Sequence, residues 1–274
     1  MSRSGYYAWR VRKPSKRSRD NAVLAAKIAE VHEESRGTYG SPRIHAELAE
    51  QGFEVGRNRI ARIMRENGIV GRARPKFRRT TDSRHSLPVA DNVLNRVFVA
   101  DEPDAAWAAD ITYVWTSEGW LYLAVIIDLF SRRVVGWSMA EHMRTDLVLD
   151  ALRAALGSRM PSTAGLVFHS DRGAQYASNA YQKALDANGI TCSMSRRANC
   201  WDNAVAESFF STLKTELVHN RLFLTRNSAR NAIAEWIQVF YNGKRRHSSL
   251  GYATPLEAER RYYEQQELAA REAA

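Results

Sequence analysis

Three acids, far apart along the chain, are the residues whose types and spacing could do chemistry. Asp171 lies in Leu166-Val167-Phe168-His169-Ser170-Asp171-Arg172-Gly173, where three apolar residues read as the end of a buried strand and Gly173 breaks the pattern. A carboxylate at such a point emerges into a cleft at the edge of an α/β sheet. Asp110 follows Trp107-Ala108-Ala109 at the start of a β-rich run, and Glu207 falls in Asn203-Ala204-Val205-Ala206-Glu207-Ser208-Phe209-Phe210. Taken singly, each reads more readily as a surface or capping group. Two carboxylates about 5 Å apart repel by roughly 3 kcal/mol at an effective dielectric of about 20, so three clustered acids shift their pKa values or gather a cation. Oxygen-only ligands favour Mg²⁺, or Mn²⁺, over zinc. Two such ions about 3.5–4 Å apart suit phosphodiester transfer, activating a hydroxyl and stabilising the leaving oxygen.

Neighbouring residues compete for the same cleft. Asp128, before Leu129-Phe130-Ser131-Arg132, reads as a strand-end turn residue, and His169 as a packed histidine rather than a proton relay. Lys214 stands two helical turns beyond Glu207, on the face from which a cation reaches a DNA phosphate. Arg172, directly after Asp171, is a further candidate DNA contact. Asp202 or Asn203 is placed to cap the Glu207 helix, whose buried stripe is Phe210, Leu213 and Leu217.

The elements that must position these groups begin with strands at 110–115, 120–129 and 133–139, joined by links short enough for an antiparallel meander. A helix at 145–156, a strand at 166–169, a helix at 179–188, a strand at 190–194 and a helix at 203–217 follow. That order is α/β, the ribonuclease H-like arrangement of a mixed five-stranded sheet with helices, in which the carboxylates converge. The catalytic core would span 104–220. Residues 1–70 read as an all-α region preceding it. Its opening turn looks like a helix continuing from an upstream segment. A helix at 22–34 places Val23, Ala26, Ile28 and Val31 near one face. Ser41 as N-cap and Pro42 at the first helical position start a second, running to Gln51. A third, at 57–67, turns Ile60, Ile63 and Met64 inward and spreads Arg57, Arg59, Arg62 and Arg65 over the rest. Helix, tight turn and basic helix form a helix-turn-helix, whose second helix enters the major groove. Residues 71–103 read as a basic, then polar, linker. Residues 221–274 read as a helical extension: Thr225 caps a helix burying Ala229, Ile233, Trp236, Ile237 and Phe240, and a charged helix closes the chain from Leu256. Arg245, Arg246 and His247 between them contact DNA or form a surface loop.

Charge supports that division. Residues 1–80 hold nineteen Lys and Arg against eight Asp and Glu, so the net +10 lies entirely in the first third. A basic arm on a nearly neutral body fits nucleic acid. A hydrophobic share of 45% excludes a disordered chain. The two cysteines, Cys192 and Cys200, lack zinc-finger spacing, and reduced thiols suit a cytoplasmic, nucleoid-associated protein. The most apolar stretch, 121–129, is half a bilayer span and reads as a strand, so no membrane partner is expected.

Three motifs carry a resemblance. Trp107-x-x-Asp110-Ile111-Thr112-Tyr113, His169-Ser170-Asp171-Arg172-Gly173-x-Gln175-Tyr176 and Asn199-Cys200-Trp201-Asp202-Asn203-Ala204-x-x-Glu207-Ser208-Phe209-Phe210 resemble the DDE transposases of the IS-three insertion-sequence family, specifically their second-frame (OrfB) protein, akin to retroviral integrases. Sixty residues separate Asp110 from Asp171 and 35 separate Asp171 from Glu207, as the family's pattern requires. Lys214 matches its basic position, and 241–255 resembles its C-terminal signature. The resemblance implies a polynucleotidyl transferase in which water, then a DNA 3′-hydroxyl, attacks phosphodiesters at element ends and target, with Mg²⁺ on Asp110, Asp171 and Glu207. It also implies double-stranded DNA as partner, a homo-oligomer on DNA, and an upstream-frame (OrfA) protein or fusion that supplies end recognition. The alternatives are a non-catalytic DNA-binding regulator of transposition and a structure-directed nuclease on the same fold.

Overall fold

Leu24, Ile28 and Val31 recur at helical spacing, and that stripe closes the core of the first of two units, Met1–Ala73 and Arg74–Ala274. The computed structural model describes residues 2–72, 90–95, 98–160, 165–196 and 200–273. In the first unit α1 (Arg3–Arg10) starts at Ser2, whose side chain accepts from Gly5 N. Helix α2 spans Lys16–Glu34, beginning earlier than the pattern predicts because Ser15 caps it, accepting from Ser18 N at 3.1 Å. Its inward face is also out of phase with the expectation. Leu24 is buried, whereas Val23 is 63% exposed and Ala26 lies at the surface. Gly40, not Ser41, holds the cap position of α3 (Ser41–Glu50), which places Ser41 and Pro42 in the first turn. Helix α4 (Arg57–Glu66) buries Ile60, Ile63 and Met64 as expected, and Gly68, at φ +67°, ends it. Tyr39, Ile44 and Leu48 complete this small core.

The second unit is built on five strands: β1 (Ala106–Thr116), β2 (Gly119–Asp128), β3 (Val134–Ala140), β4 (Val167–Ser170) and β5 (Thr191–Met194), in the order β3-β2-β1-β4-β5. The first three form the expected antiparallel meander; β4 and β5 join in parallel. β1 starts four residues before its predicted beginning. Ala106, Ala108 and Ala109 have weak strand propensity, yet a central strand covered on both faces takes small residues. Helices α5 (Thr145–Arg159) and α6 (Asn179–Ala187) cover one face, packing on Ala124 and Ile126. Helices α7 (Ala204–Glu216) and α8 (Arg226–Glu235), with a wide π turn over Trp236–Tyr241, cover the other, packing on Leu121, Leu123, Val125 and Ile127. The period of two along β2 thus feeds two separate cores. A Cβ on Gly136 would stand 2.5 Å from Ala151 O, so α5 rests directly on β3 only because that residue is glycine.

The C-terminal stretch packs into this unit. Thr225 and Ser228 form a capping box at α8, and Ala229, Ile233, Trp236, Ile237 and Phe240 are buried as expected. Asn242 closes the edge of β3, accepting from Val134 N and donating to Val134 O, each at 3.0 Å. Helix α9 (Pro255–Glu272) follows, capped by Thr254 with Glu257. Within the stretch read as a linker, Leu94 and Phe98 pack on the body, while Val93 and Val99 are exposed. Residues 73–89 of the expected linker lie outside the described residues.

Candidate active site

Parallel pairing of β1 with β4 runs from Ala106 opposite Val167 to Ala109 opposite Ser170, and the next residue on each strand is an acid. Asp110 and Asp171 therefore leave the ladder side by side, on backbones roughly 4.8 Å apart. On its other side Asp110 pairs with Val125, whose side chain belongs to the core beneath α7, so the two share a face. Helix α7 carries Glu207 in its first turn. Asn203, just before it, donates Nδ2 to Ala109 O at 3.2 Å and fastens the start of α7 beside β1. Asn203 takes the expected cap position. It makes no side-chain cap bond, and buried Asp202 instead accepts from Arg196 N, the Arg196 guanidinium and Asn92.

Burial first, and then the charge of Asp171, push the Asp110 carboxyl well above the usual carboxylate range; Glu207 adds to the shift. The Ile111 N–H, donating to Asp110 Oδ1 at 2.8 Å, and the Lys214 ammonium offset it in part. Asp171 and Glu207 thus both lie near enough to Asp110 for their charges to act on it. Asp171 Oδ1 accepts from Gly173 N at 2.9 Å, and a Cβ on Gly173 would press on that same oxygen at 2.9 Å. The Lys214 Nζ lies 5.2 Å from the centroid of the Tyr113 ring; burial lowers its pKa against the pull of Asp110.

His169 is fully buried, with Nδ1 and Nε2 at 2.9 and 3.1 Å from the hydroxyls of Ser193 and Ser195, and burial lowers its pKa. It is the packed histidine that the sequence suggests. Asp128 is the strand-end turn residue, accepting from Ser131 N and Oγ and from Asp104 N. Tyr176 stands out only in three dimensions. Burial, then Tyr181, Asp110 and Asp171, push its phenol well up, and its hydroxyl finds no hydrogen-bond partner among the described residues. It lies within the motif around Asp171, but an aromatic six residues beyond a strand end gives no local sign of lying near the acids.

Among the described residues no three His, Cys, Asp or Glu side chains already form a metal cage. The donor set still fits a hard divalent cation. It is all oxygen, and Asp110 is driven toward its proton by two other acids.

The basic residues divide. Arg57 and Arg65 on α4 are exposed, whereas Arg59 is held by Asn21 Oδ1 at 3.0 and 2.7 Å and Arg62 pairs with Glu66 at 2.7 Å. Arg172 donates from Nε to Ser195 O at 2.6 Å. Arg245 and Arg246 correct the sequence reading. Arg245 is buried in an ion pair with Glu216, at 2.7 Å, and Arg246 donates to Tyr252 O, so both hold the interior rather than meet DNA.

Sheet order and flanking helices give a ribonuclease H-like fold, and the following family and relative matches make its class that of a polynucleotidyl transferase. The Integrase core domain family matches residues 100–200, a second Integrase core domain family matches 188–255, and the HTH-like domain family matches 18–77. The Insertion element IS600 31 kDa protein of Shigella sonnei is 45% identical over 96% of this chain and 97% of its own length. Transposase InsF for insertion sequence IS3A of Escherichia coli K12 is 40% identical over 94% and 90%. The transposase for IS904 of Lactococcus lactis is 40% identical over 91% and 98%. The chain belongs to the IS-three family of insertion-sequence transposases. No helix among the described residues is long and apolar enough to cross a membrane.

Proposed function

We propose that this transposase cuts DNA at the ends of an insertion sequence and joins them to a target, with Asp110, Asp171 and Glu207 holding divalent metal, Mg²⁺ or Mn²⁺ and two ions when fully loaded. The observation that carries this reading is the parallel β1–β4 register, which sets Asp110 beside Asp171 just past the paired stretch, with Glu207 in the first turn of the helix that Asn203 fastens to β1. Bound divalent metal supplies charge stabilisation and an activated hydroxyl for attack on a phosphodiester. The chain's own groups do the positioning. The Ile111 and Gly173 N–H groups each fix one oxygen of Asp110 and Asp171, and Asn203 fixes the start of the helix bearing Glu207. Lys214 meets a phosphate at the cleft, and Arg57 and Arg65 present charge to DNA from the helical unit, with Arg172 a further contact. On DNA the protein acts as a homo-oligomer with an upstream-frame partner that recognises the ends, in the nucleoid.

The test is incubation of the full chain and its upstream-frame partner with Mg²⁺ and DNA carrying the element's ends. Joined products are expected, and Asp171→Ala should abolish them while leaving duplex affinity nearly unchanged. Nicks without joining would make the protein a nuclease. Gel shifts without chemistry would make it a regulator. Either result overturns the proposal.

A further inference from the structure

Beyond Asp110, β1 carries Tyr113 and Trp115 at alternate positions, and the register sets them opposite Tyr122 and Trp120 of β2. Four aromatic side chains thus share one face at the end of this hairpin. Tyr113, Trp115 and Trp120 are 41%, 55% and 43% exposed. Trp120 meets both neighbours edge to face, its ring centroid 4.9 Å from Tyr113 and 4.8 Å from Trp115. The hairpin is also tied down. Ser117 N donates to Phe223 O at 2.9 Å, Arg226 N to Glu118 Oε2 at 2.8 Å, and Arg226 Nε to Trp120 O at 3.2 Å. The result is a fixed aromatic ledge open to solvent.

Cross-strand aromatic pairs stabilise hairpins anywhere. Two further facts separate this one from a purely structural cluster. The Lys214 ammonium lies over the Tyr113 ring and also feels the charge of Asp110, so the ledge and the acids share a cation. The ledge also lies on the same strand as Asp110, though on the opposite face of the sheet; among the described residues β1 pairs with β4 only as far as Ala109, so Lys214 meets Tyr113 beside an edge that β4 leaves open. At about 3.3 Å per residue, Tyr113 stands roughly 10 Å and Trp115 roughly 17 Å along the strand from Asp110. Stacked nucleotides advance about 3.4 Å each, so for a strand that passes around this edge the ledge begins at least about three to five nucleotides from a phosphate at the acids.

We infer that the ledge of Tyr113, Trp115 and Trp120 binds unpaired nucleotides of the DNA strand that reaches the acids, the bases stacking on the exposed rings while Lys214 meets a phosphate. The inference rests on the reading of Asp110, Asp171 and Glu207 as the reaction centre. Paired DNA turns its edges and phosphates outward, whereas unpaired bases offer the flat faces that aromatic side chains take. The ledge therefore selects opened strands over duplex.

Fluorescein-labelled oligothymidylate and a duplex of equal length, each titrated with the full chain at one fixed near-physiological salt concentration, test this. The double variant Trp115→Ala, Trp120→Ala is expected to weaken single-strand binding by at least about fivefold and duplex binding by less than about twofold. The salt slope should not change, because no phosphate contact is removed. Trp115→Phe should keep near wild-type affinity. Thermal melting checks the fold; should the double variant unfold, Trp115→Ala, at the most exposed of the three positions, carries the test. Equal losses on both DNAs, or no loss on the single strand, overturn the proposal. A chain that joins DNA yet shows no ledge effect removes this inference alone. One that shows the ledge effect but never joins leaves the ledge standing and removes the proposed reaction.

Discussion

Two acid clusters lie beside strand β1, and they are treated in opposite ways. Asp104 and Glu259 are answered group by group. Arg159 Nε donates to both oxygens of Asp104 at 3.0 Å, its Nη1 to Glu259 at 2.8 Å, and Arg133 reaches Glu259 at 2.7 Å. Burial alone would weaken the Arg159 guanidinium, yet Asp104 and Glu259 together push its pKa up. At Asp110, by contrast, Asp171 and Glu207 outweigh the pull of Lys214. Acids that hold a fold are neutralised from inside it. At Asp110, burial and neighbouring acids act in the same direction, which is the environment of a perturbed functional carboxyl.

That contrast can be broken from either side. The largest effect is expected at the reaction centre: Asp110→Asn should bring joining below detection while thermal stability holds or rises, since a repelling charge is removed. A large fall in melting temperature would make Asp110 structural. Arg159→Met should do the reverse, costing about 3–5 kcal/mol by leaving Asp104 and Glu259 buried without their partner. Calorimetry that found the variant as stable as the parent would erase the distinction. Gly173→Ala should lower joining about tenfold to a hundredfold, because its methyl group displaces the Asp171 carboxyl by a fraction of an ångström, with little change in melting. Unaltered single-turnover rates would show that this carboxyl tolerates movement.

The smallest effect is in pH. Burial pushes the Asp128 pKa up, against hydrogen bonds from Ser131 and Asp104. A folded value above the unfolded value of about 3.9 means that the stability tied to the proton is complete below about pH 4 and is lost as pH climbs through the folded value. Asp128→Asn should therefore flatten melting temperature against pH in that window. An undiminished slope in the variant would assign the dependence to other groups.

Much of the site was legible because its residues sit in short motifs at strand and helix ends, where pattern changes mark the position. Asp171 is announced by the apolar run before it and the glycine after it. The α2 face was misread because an alanine-rich helix offers two nearly equal apolar phases, and only contact with α3 and α4 chooses Leu24 over Val23. Arg245 looked like a DNA contact because charge in a polar stretch reads as surface. Its partner Glu216 lies 29 residues away on another helix, beyond any local pattern. Glu259, 128 residues from Ser131, was hidden for the same reason.

The Arg245–Glu216 pair and the Asn242 carboxamide on Val134 also bear on how such elements decay. A stop codon or protease cut shortly after position 220 would strand Glu216 in a dry interior without its guanidinium and strip the cover from the last meander strand. Copies of the gene shortened there should yield insoluble or degraded product. They would fall silent by failing to fold, with all three acids still encoded.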